Sequence, residues 1–271
     1  LAIPILLFRV LATTELPEAL PWRYLVGYYA CALTFFWVSL RLARFLFGYG
    51  RGEAGVFAFG CSYGSFIPLG IPLVLATFGQ QAAVPLFILV ATQAPVMFPM
   101  MTAVQESVDG ADKSGLSRLW AMLKGITANQ YLAGIALGVL VNLMGVPLPL
   151  PVLDVLQFIS QSAAPCALFA LGAALSQYRI AGAISASITI SILKTLVFPA
   201  VVWLVTDRLL DLDPLWQAVL VLLAALPVGI NTYLFAEQYR TAVPLAAAST
   251  VLSTGLSMIT ISIILGLIEL P

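Results

Sequence analysis

The sequence predicts an all-α polytopic membrane protein built from two inverted five-helix repeats with crossed broken helices. Three observations lead to this fold class. The 271 residues are 61% hydrophobic and only 9% charged. Two similar proline and glycine motifs, Pro68–Pro72 and Pro227–Asn231, lie in the middle of long apolar runs. The apolar runs around the two motifs also follow each other in the same order, which indicates an internal repeat.

The composition indicates that lipid is the main solvent of this chain. Mean hydropathy is +1.04, and a water-soluble domain has too little interior to bury so much apolar surface. The 12 basic and 12 acidic residues balance and histidine is absent, so the charge does not indicate a nucleic-acid partner. Cys31, Cys61 and Cys166 lack the spacing of a metal or disulfide motif. We expect a surrounding lipid bilayer and no metal or other cofactor.

A membrane span needs about 20 apolar residues, and the chain contains eight runs of roughly this kind. They are Trp22–Leu42, Ala54–Phe78, Ala82–Val104, Asn129–Met144, Pro151–Gln177, Gly182–Val205, Pro214–Phe235 and Ala246–Leu270. The opening run, Leu1–Ala12, is too short to span alone and is typical of the second half of a helix.

The two motifs define a repeat with an offset of 159 residues (227 − 68). This offset carries the other spans of the first half onto spans of the second, but Asn129–Met144 would map to a position before Leu1. We therefore predict a first repeat at 1–104 that lacks its first transmembrane helix in this chain, a linker at 105–128 and a second repeat at 129–271. A repeat of five spans is odd, so the second must be inverted relative to the first.

The basic residues give an independent prediction of orientation, because cytoplasmic loops carry an excess of lysine and arginine. Alternating spans place eight basic residues on one side, which we take as cytoplasmic: Arg41, Arg44, Arg51, Lys113, Arg118, Lys124, Arg179 and Arg240. The other side receives only Arg23 and Arg208. In the linker, four apolar residues at helical spacing predict an interfacial helix on the cytoplasmic leaflet: Leu116, Leu119, Trp120 and Leu123.

The two motifs are the predicted binding site. Paired interruptions at corresponding places in two halves indicate the site of a transporter, and the N-terminal ends of half-helices favour a carboxylate. The residues that could surround a ligand there are Pro68, Gly70, Pro72, Pro227, Gly229 and Asn231. The alternative is that these residues only kink packed helices.

Three polar residues at membrane depth extend the predicted site. Lys194 lies mid-span, where a lysine costs about 3 kcal/mol on insertion scales, so it should attract an anion, change its charge during coupling, or bind a carbonyl at a broken helix. Ser62 and Gln93 could line a pocket or join helices. Carboxylates and histidine are absent from mid-span positions, which argues against proton coupling through a buried carboxylate, and no nucleophile–base pair supports an enzyme.

These features resemble the auxin efflux carrier family, in its bacterial branch of malonate-carrier-like proteins related to plant PIN-type auxin carriers. The stretches that carry the resemblance are Ile3–Arg9, Cys61–Pro72, Gly145–Pro149, Ala163–Gly172, Ala224–Tyr239 and Ser253–Ser257. The resemblance implies a ten-helix carrier with a scaffold domain and a moving transport domain. The scaffold would consist of the Leu1 fragment with the spans at Asn129 and Pro151. The resemblance to this family also implies that Gln93 contacts the ligand.

The predicted function is a secondary transporter that moves a small organic carboxylate anion across the bacterial cytoplasmic (inner) membrane by alternating access. Two alternatives remain open: a sodium-coupled symporter of bile-acid type, and a non-transporting membrane sensor on a carrier fold. The glycine pair Gly134 and Gly138 allows close helix contact, which would serve either a homodimer through the scaffold helices or packing within the chain.

Overall fold

A computed structural model describes residues 2–14, 21–109, 130–145, 147–162, 165–166, 169, 173 and 183–267. The described chain is helical apart from turns and one isolated β-bridge. Its helices are α1 Ala2–Thr13, α2 Trp22–Phe47, α3 Arg51–Ser62, α4 Phe66–Phe78, α5 Ala83–Asp109, α6 Gln130–Leu143, α7 Leu150–Gln161, α8 Ile184–Leu210, α9 Pro214–Ala225, α10 Asn231–Gln238 and α11 Val243–Leu267.

Among the described residues, four helices are long and apolar enough to cross a membrane: Trp22–Phe47, Gln80–Gln105, Ile184–Leu210 and Val243–Leu267. They lie where long spans are predicted, which confirms an all-α membrane protein. The predicted span Pro151–Gln177 is a continuous helix only over α7, and most of its remainder lies outside the described residues. The four apolar residues that predict the interfacial helix also lie outside them, whereas 105–109 continue α5 beyond the predicted end of the first repeat.

Local sequence explains several helix ends. The αL conformation of Gly48, with a φ of 65°, closes α2, and glycine adopts this conformation without steric cost. The Asp213 carboxylate accepts hydrogen bonds from the backbone N–H groups of Leu215 and Trp216 and so caps α9. Pro214 occupies the first position of the helix, where a missing N–H costs nothing.

Three pairs of helices around the two motifs match in length. α3 and α9 are each 12 residues long, and each is followed by an interruption and a second helix, α4 and α10 respectively. α2 has 26 residues and α8 has 27, while α5 has 27 and α11 has 25. The element order long, half, half, long therefore occurs twice in the described chain.

The first interruption lies earlier than the sequence predicts. α3 ends at Ser62, the extended residues are Tyr63 to Ser65, and α4 then begins with a π-helical turn over Phe66–Gly70. Pro68 and Gly70 therefore lie in the first turn of α4 instead of in the gap, and Pro72 follows in the same helix. Proline is tolerated there because the first N–H groups of a helix have no intrahelical partner.

Three helices form a separately packed group: α1 packs against α6 and α7. A β-carbon on Gly134 would lie 2.5 Å from the Pro4 carbonyl oxygen, and one on Gly138 would lie 2.7 Å from that of Phe8. The two glycines thus let α6 approach α1 inside the chain. The Asn142 side-chain amide also donates to the Leu11 carbonyl at 2.9 Å.

Candidate functional site

The two interruptions contact each other directly. Gly64 and Val228 form an antiparallel β-bridge. The Ser65 N–H donates to the Pro227 carbonyl at 3.1 Å, and the Gly229 N–H donates to the Tyr63 carbonyl at 3.1 Å. These bonds satisfy backbone groups that an unwound segment inside a membrane protein cannot leave unpaired. The C-terminal ends of α3 and α9 therefore meet at one point in the protein.

The contact depends on a small residue at position 229. A β-carbon on Gly229 would lie 2.6 Å from Cδ1 of Tyr63 and 3.0 Å from the Gly64 carbonyl oxygen. Real β-carbons do not approach other atoms so closely, so a side chain here would push the two interruptions apart. The glycine is explained by this close approach of two backbones.

Two polar side chains from the long helices hold the interruptions from outside. The Gln93 amide of α5, which is only 3% exposed, donates to the Gly64 carbonyl at 3.3 Å. The Ser253 hydroxyl of α11 accepts the Val228 N–H at 3.0 Å. Each interruption is therefore bound by the long helix that follows it in the chain. Ser253 is a residue that the sequence does not predict for the site, although it belongs to one of the stretches that carry the resemblance.

Asn231 connects the two interruptions through side chains. It begins α10, and its amide donates to the Tyr63 hydroxyl at 2.9 Å. The Tyr63 ring stacks on Phe59 with a centroid distance of 4.7 Å, which fixes the direction of the hydroxyl. Tyr63 was also missed at the sequence level, and its signal is the preference of a buried tyrosine hydroxyl for a partner.

Lys194 lies against the end of α9. The side chain is 0% exposed, its ammonium donates to the Ala224 carbonyl at 2.5 Å, and Nζ lies 4.8 Å from the centre of the Phe198 ring. The last carbonyls of a helix are unpaired and carry partial negative charge. Lys194 therefore places a cation at the C-terminal end of this half-helix, which is the carbonyl contact considered from the sequence.

Three hydroxyls near the interruptions differ in their bonding. Ser62 donates to the Ala58 carbonyl of its own helix at 2.9 Å. Ser65 Oγ and Thr232 Oγ1 are buried and, among the described residues, have no hydrogen-bond partner. Buried hydroxyls without a partner carry a free-energy cost of about 1–3 kcal/mol, so these two are available to a polar ligand.

The structure thus brings five of the nine predicted site residues to the joined interruptions: Gln93, Lys194, Pro227, Gly229 and Asn231. Gly70 packs beneath them, where a β-carbon would lie 2.9 Å from side-chain atoms of Leu223 and Leu226. Pro68, Pro72 and Ser62 make no bond across the interruptions in the described part of the chain. Within those residues, no group of three or more His, Cys, Asp or Glu side chains could hold a metal ion.

Membrane-spanning helices combined with two joined interruptions are typical of membrane transport proteins. A family model described as "Membrane transport protein" matches residues 1–265, and the chain belongs to this family, the auxin efflux carrier family. The chain is also 26% identical over 270 residues to a protein of Rhizobium meliloti (strain 1021) named "Putative malonate transporter", covering 99% of this chain and 84% of that protein. The resemblance seen in the sequence is confirmed, and the chain is an integral membrane transporter.

Proposed function

We propose that this protein is a secondary carrier that moves a small organic carboxylate anion across the bacterial inner membrane by alternating access. The observation that carries the proposal is the antiparallel bridge between Gly64 and Val228. It joins two interrupted helices of equal first-half length, α3 and α9. Paired, interrupted helices are the form that binding sites take in secondary transporters.

The proposed inverted repeats rest on direction as well as on length. Two chain segments that pair in an antiparallel bridge run in opposite directions. α3 and α9 would then enter the membrane from opposite faces and end at the same depth. This arrangement is expected when two homologous halves insert with opposite topology. The predicted crossed broken helices would then be the pair α3 and α4 in the first half and the pair α9 and α10 in the second.

The proposed anion site is the space at the beginning of α4 and α10. Both helices start beside the bridge, at Phe66 and Asn231, and their first N–H groups carry partial positive charge. The Asn231 amide and the unpaired Ser65 and Thr232 hydroxyls add polar groups that can bind a carboxylate. Lys194 contributes a positive charge to the same region.

We assign different roles to the predicted binding residues on the basis of these contacts. Asn231 presents a side chain that can bind a substrate directly, and Gln93 and Gly229 fix the shape of the site. Pro68, Gly70 and Pro72 set the start of α4, and Pro227 accepts the Ser65 N–H. Ser62 would stabilise the end of α3 next to the site instead of binding the substrate, since its hydroxyl is bonded within that helix.

The proposed moving parts follow from packing. The group of α1, α6 and α7 is held together by close backbone contacts and touches the rest of the described chain mainly through α5. This group is the proposed scaffold, and the remaining helices are the proposed transport domain. Gly134 and Gly138 face α1, so a homodimer through the scaffold would use its exposed apolar side chains, such as Leu137, Leu140 and Phe158.

Uptake into proteoliposomes tests the proposed function. The purified protein is reconstituted, and entry of labelled malonate, the substrate in the relative's name, is compared with entry into liposomes prepared without the protein. We expect saturable malonate uptake that competing carboxylates inhibit and that does not require sodium. Absence of uptake for a series of mono- and dicarboxylates would contradict the carrier proposal, and strict sodium dependence would favour the bile-acid-type alternative.

A further inference from the structure

A second polar site lies at the end of α2 and is not used by the proposed transport function. A depression of about 430 Å³ there is lined by Arg41, Arg44, Phe45, Gly48 and Tyr49. The first four follow the spacing i, i+3, i+4 and i+7, so they share one face where α2 ends. Two arginines one turn apart lie about 5–6 Å from each other at their β-carbons, which suits a single anion between them.

The two arginines are available to a ligand. Both are exposed, and within the described residues neither forms an ion pair; the pair found there joins Arg208 and Asp207. Glu53 is the nearest acidic residue along the chain, and its carboxylate accepts the Gly50 N–H at 3.1 Å. Within the part of the chain that the structure describes, neither guanidinium group is therefore paired with a carboxylate, and the Glu53 carboxylate, which acts on Tyr49, is bonded to the Gly50 N–H.

An exposed apolar stripe leads into the depression. Trp37 and Val38 lie one turn before Arg41 on the same helix face, and they are 50% and 55% exposed. Phe45, which follows Arg44, is 86% exposed. On a membrane-spanning helix such side chains face lipid. The site is thus basic at its end and apolar along its length.

Tyr49 completes the polar end. Burial, and then the Glu53 carboxylate, raise the pKa of the Tyr49 hydroxyl. The hydroxyl therefore keeps its proton at neutral pH and can donate a hydrogen bond to an anion. The αL conformation of Gly48, with a φ of 65°, turns the chain so that Tyr49 lies beside the arginines.

We propose that Arg41, Arg44 and Tyr49 bind the phosphate of an anionic phospholipid whose acyl chain lies along Trp37, Val38 and Phe45. Arginine matches phosphate oxygens with paired N–H donors, and the acyl chain of a phospholipid also covers the apolar stripe. A free phosphate would use the basic end alone. The bound lipid would anchor the cytoplasmic end of α2 to one leaflet.

Lipid binding to the purified protein tests this proposal without a transport measurement. Native mass spectrometry and thermal unfolding are followed during titration with phosphatidylglycerol, phosphatidylcholine or inorganic phosphate. We expect phosphatidylglycerol to bind and to raise the unfolding midpoint, with little effect from the other two. The double variant Arg41→Gln/Arg44→Gln should bind phosphatidylglycerol about thirty-fold more weakly, because each basic residue near an anionic lipid contributes about 1 kcal/mol.

The matched control is Arg51→Gln, which removes an exposed basic residue at the start of α3 that does not line the depression. It should keep the wild-type affinity. The proposal is overturned by equal binding of both lipids, by an equal loss in the Arg51 variant, or by stabilisation with inorganic phosphate alone. If the double variant cannot be purified, Arg41→Gln alone should show a loss of about five-fold. None of these results depends on whether malonate is transported.

Discussion

At the scale of single residues, the hydrogen bond from Asn231 to the Tyr63 hydroxyl is the side-chain link between the two interruptions. Tyr63→Phe removes the acceptor and keeps the ring that stacks on Phe59. We expect a loss of about 1 kcal/mol in the free energy of unfolding and a several-fold decrease in malonate uptake, because the Asn231 amide loses its fixed direction. Thermal unfolding and proteoliposome uptake measure the two effects.

The control for this change is Tyr233→Phe, which removes a tyrosine hydroxyl in α10 that is bonded at 2.8 Å to the exposed Glu237 carboxylate. It should leave uptake unchanged. Asn231→Ala should abolish uptake while the protein still inserts into the membrane. Wild-type uptake in both the Tyr63 and the Asn231 variants would refute the placement of the substrate at the interruptions.

Lys194 allows charge to be separated from hydrogen bonding. Lys194→Gln keeps a donor that can reach toward the Ala224 carbonyl but removes the positive charge, whereas Lys194→Met removes both. We expect both variants to lose uptake, because the charge contributes to anion binding. The methionine variant should also lose about 1–3 kcal/mol of stability, because the Ala224 carbonyl is left buried and unpaired.

The comparison of the two Lys194 variants is decisive because a purely structural role predicts another order. If Lys194 only tied α8 to α9, the glutamine variant would retain substantial uptake and the methionine variant would lose uptake in proportion to its lost stability. Measuring the unfolding midpoint and initial uptake rate on the same preparations distinguishes these outcomes.

At the scale of elements, the junction of the interruptions requires that two backbones come close. Gly229→Ala would place its β-carbon 3.0 Å from the Gly64 carbonyl oxygen and 2.6 Å from the Tyr63 ring. We expect destabilisation of about 1–3 kcal/mol, as for other overpacked cores, and loss of uptake as the bridge opens. Gly255→Ala in α11 is the matched control, since its β-carbon would meet nothing within 4 Å. Similar behaviour of the two variants would contradict a specific role for Gly229.

The same junction shows what sequence can and cannot predict at this scale. Proline and glycine identify both interrupted helices, since their effect on a helix is local. The position of the first interruption is not determined by local sequence. Tyr63 to Ser65 contain no proline, and their backbone groups bond Pro227 and Gly229 instead of continuing the helix. For the same reason, Tyr63 and Ser253 acquire their roles only through partners distant in sequence, whereas buried Lys194 is recognisable from its span alone.

At the scale of the whole molecule, the repeated element order explains how each half-helix obtains its support. In each half, the long helix after the interruption supplies one polar side chain to the backbone of that interruption, Gln93 for Gly64 and Ser253 for Val228. α2 and α8 precede the half-helices α3 and α9 and pack against them. The proposed inversion relates these two sets, so equivalent positions in the two halves should face opposite sides of the membrane.

Single cysteines at the outer ends of the second half-helices test this inversion. Gln80 follows α4 and Gln238 ends α10, and both are exposed. In a Cys166→Ser background, which removes the exposed cysteine and leaves the buried Cys31 and Cys61, we expect a membrane-impermeant maleimide to label Gln80→Cys in intact cells. It should label Gln238→Cys only after permeabilisation, because eight basic residues place that end in the cytoplasm.

Two further positions serve as internal controls for the labelling. Asp213→Cys lies before α9 and should be labelled from outside, whereas Arg51→Cys lies at the start of α3 and should require permeabilisation. Each half then has one end of its interrupted pair on each face, in opposite order. Labelling of Gln80 and Gln238 from the same side would mean that the two halves insert in parallel. An alternating-access carrier with inverted repeats would then be excluded, even though the two interruptions touch.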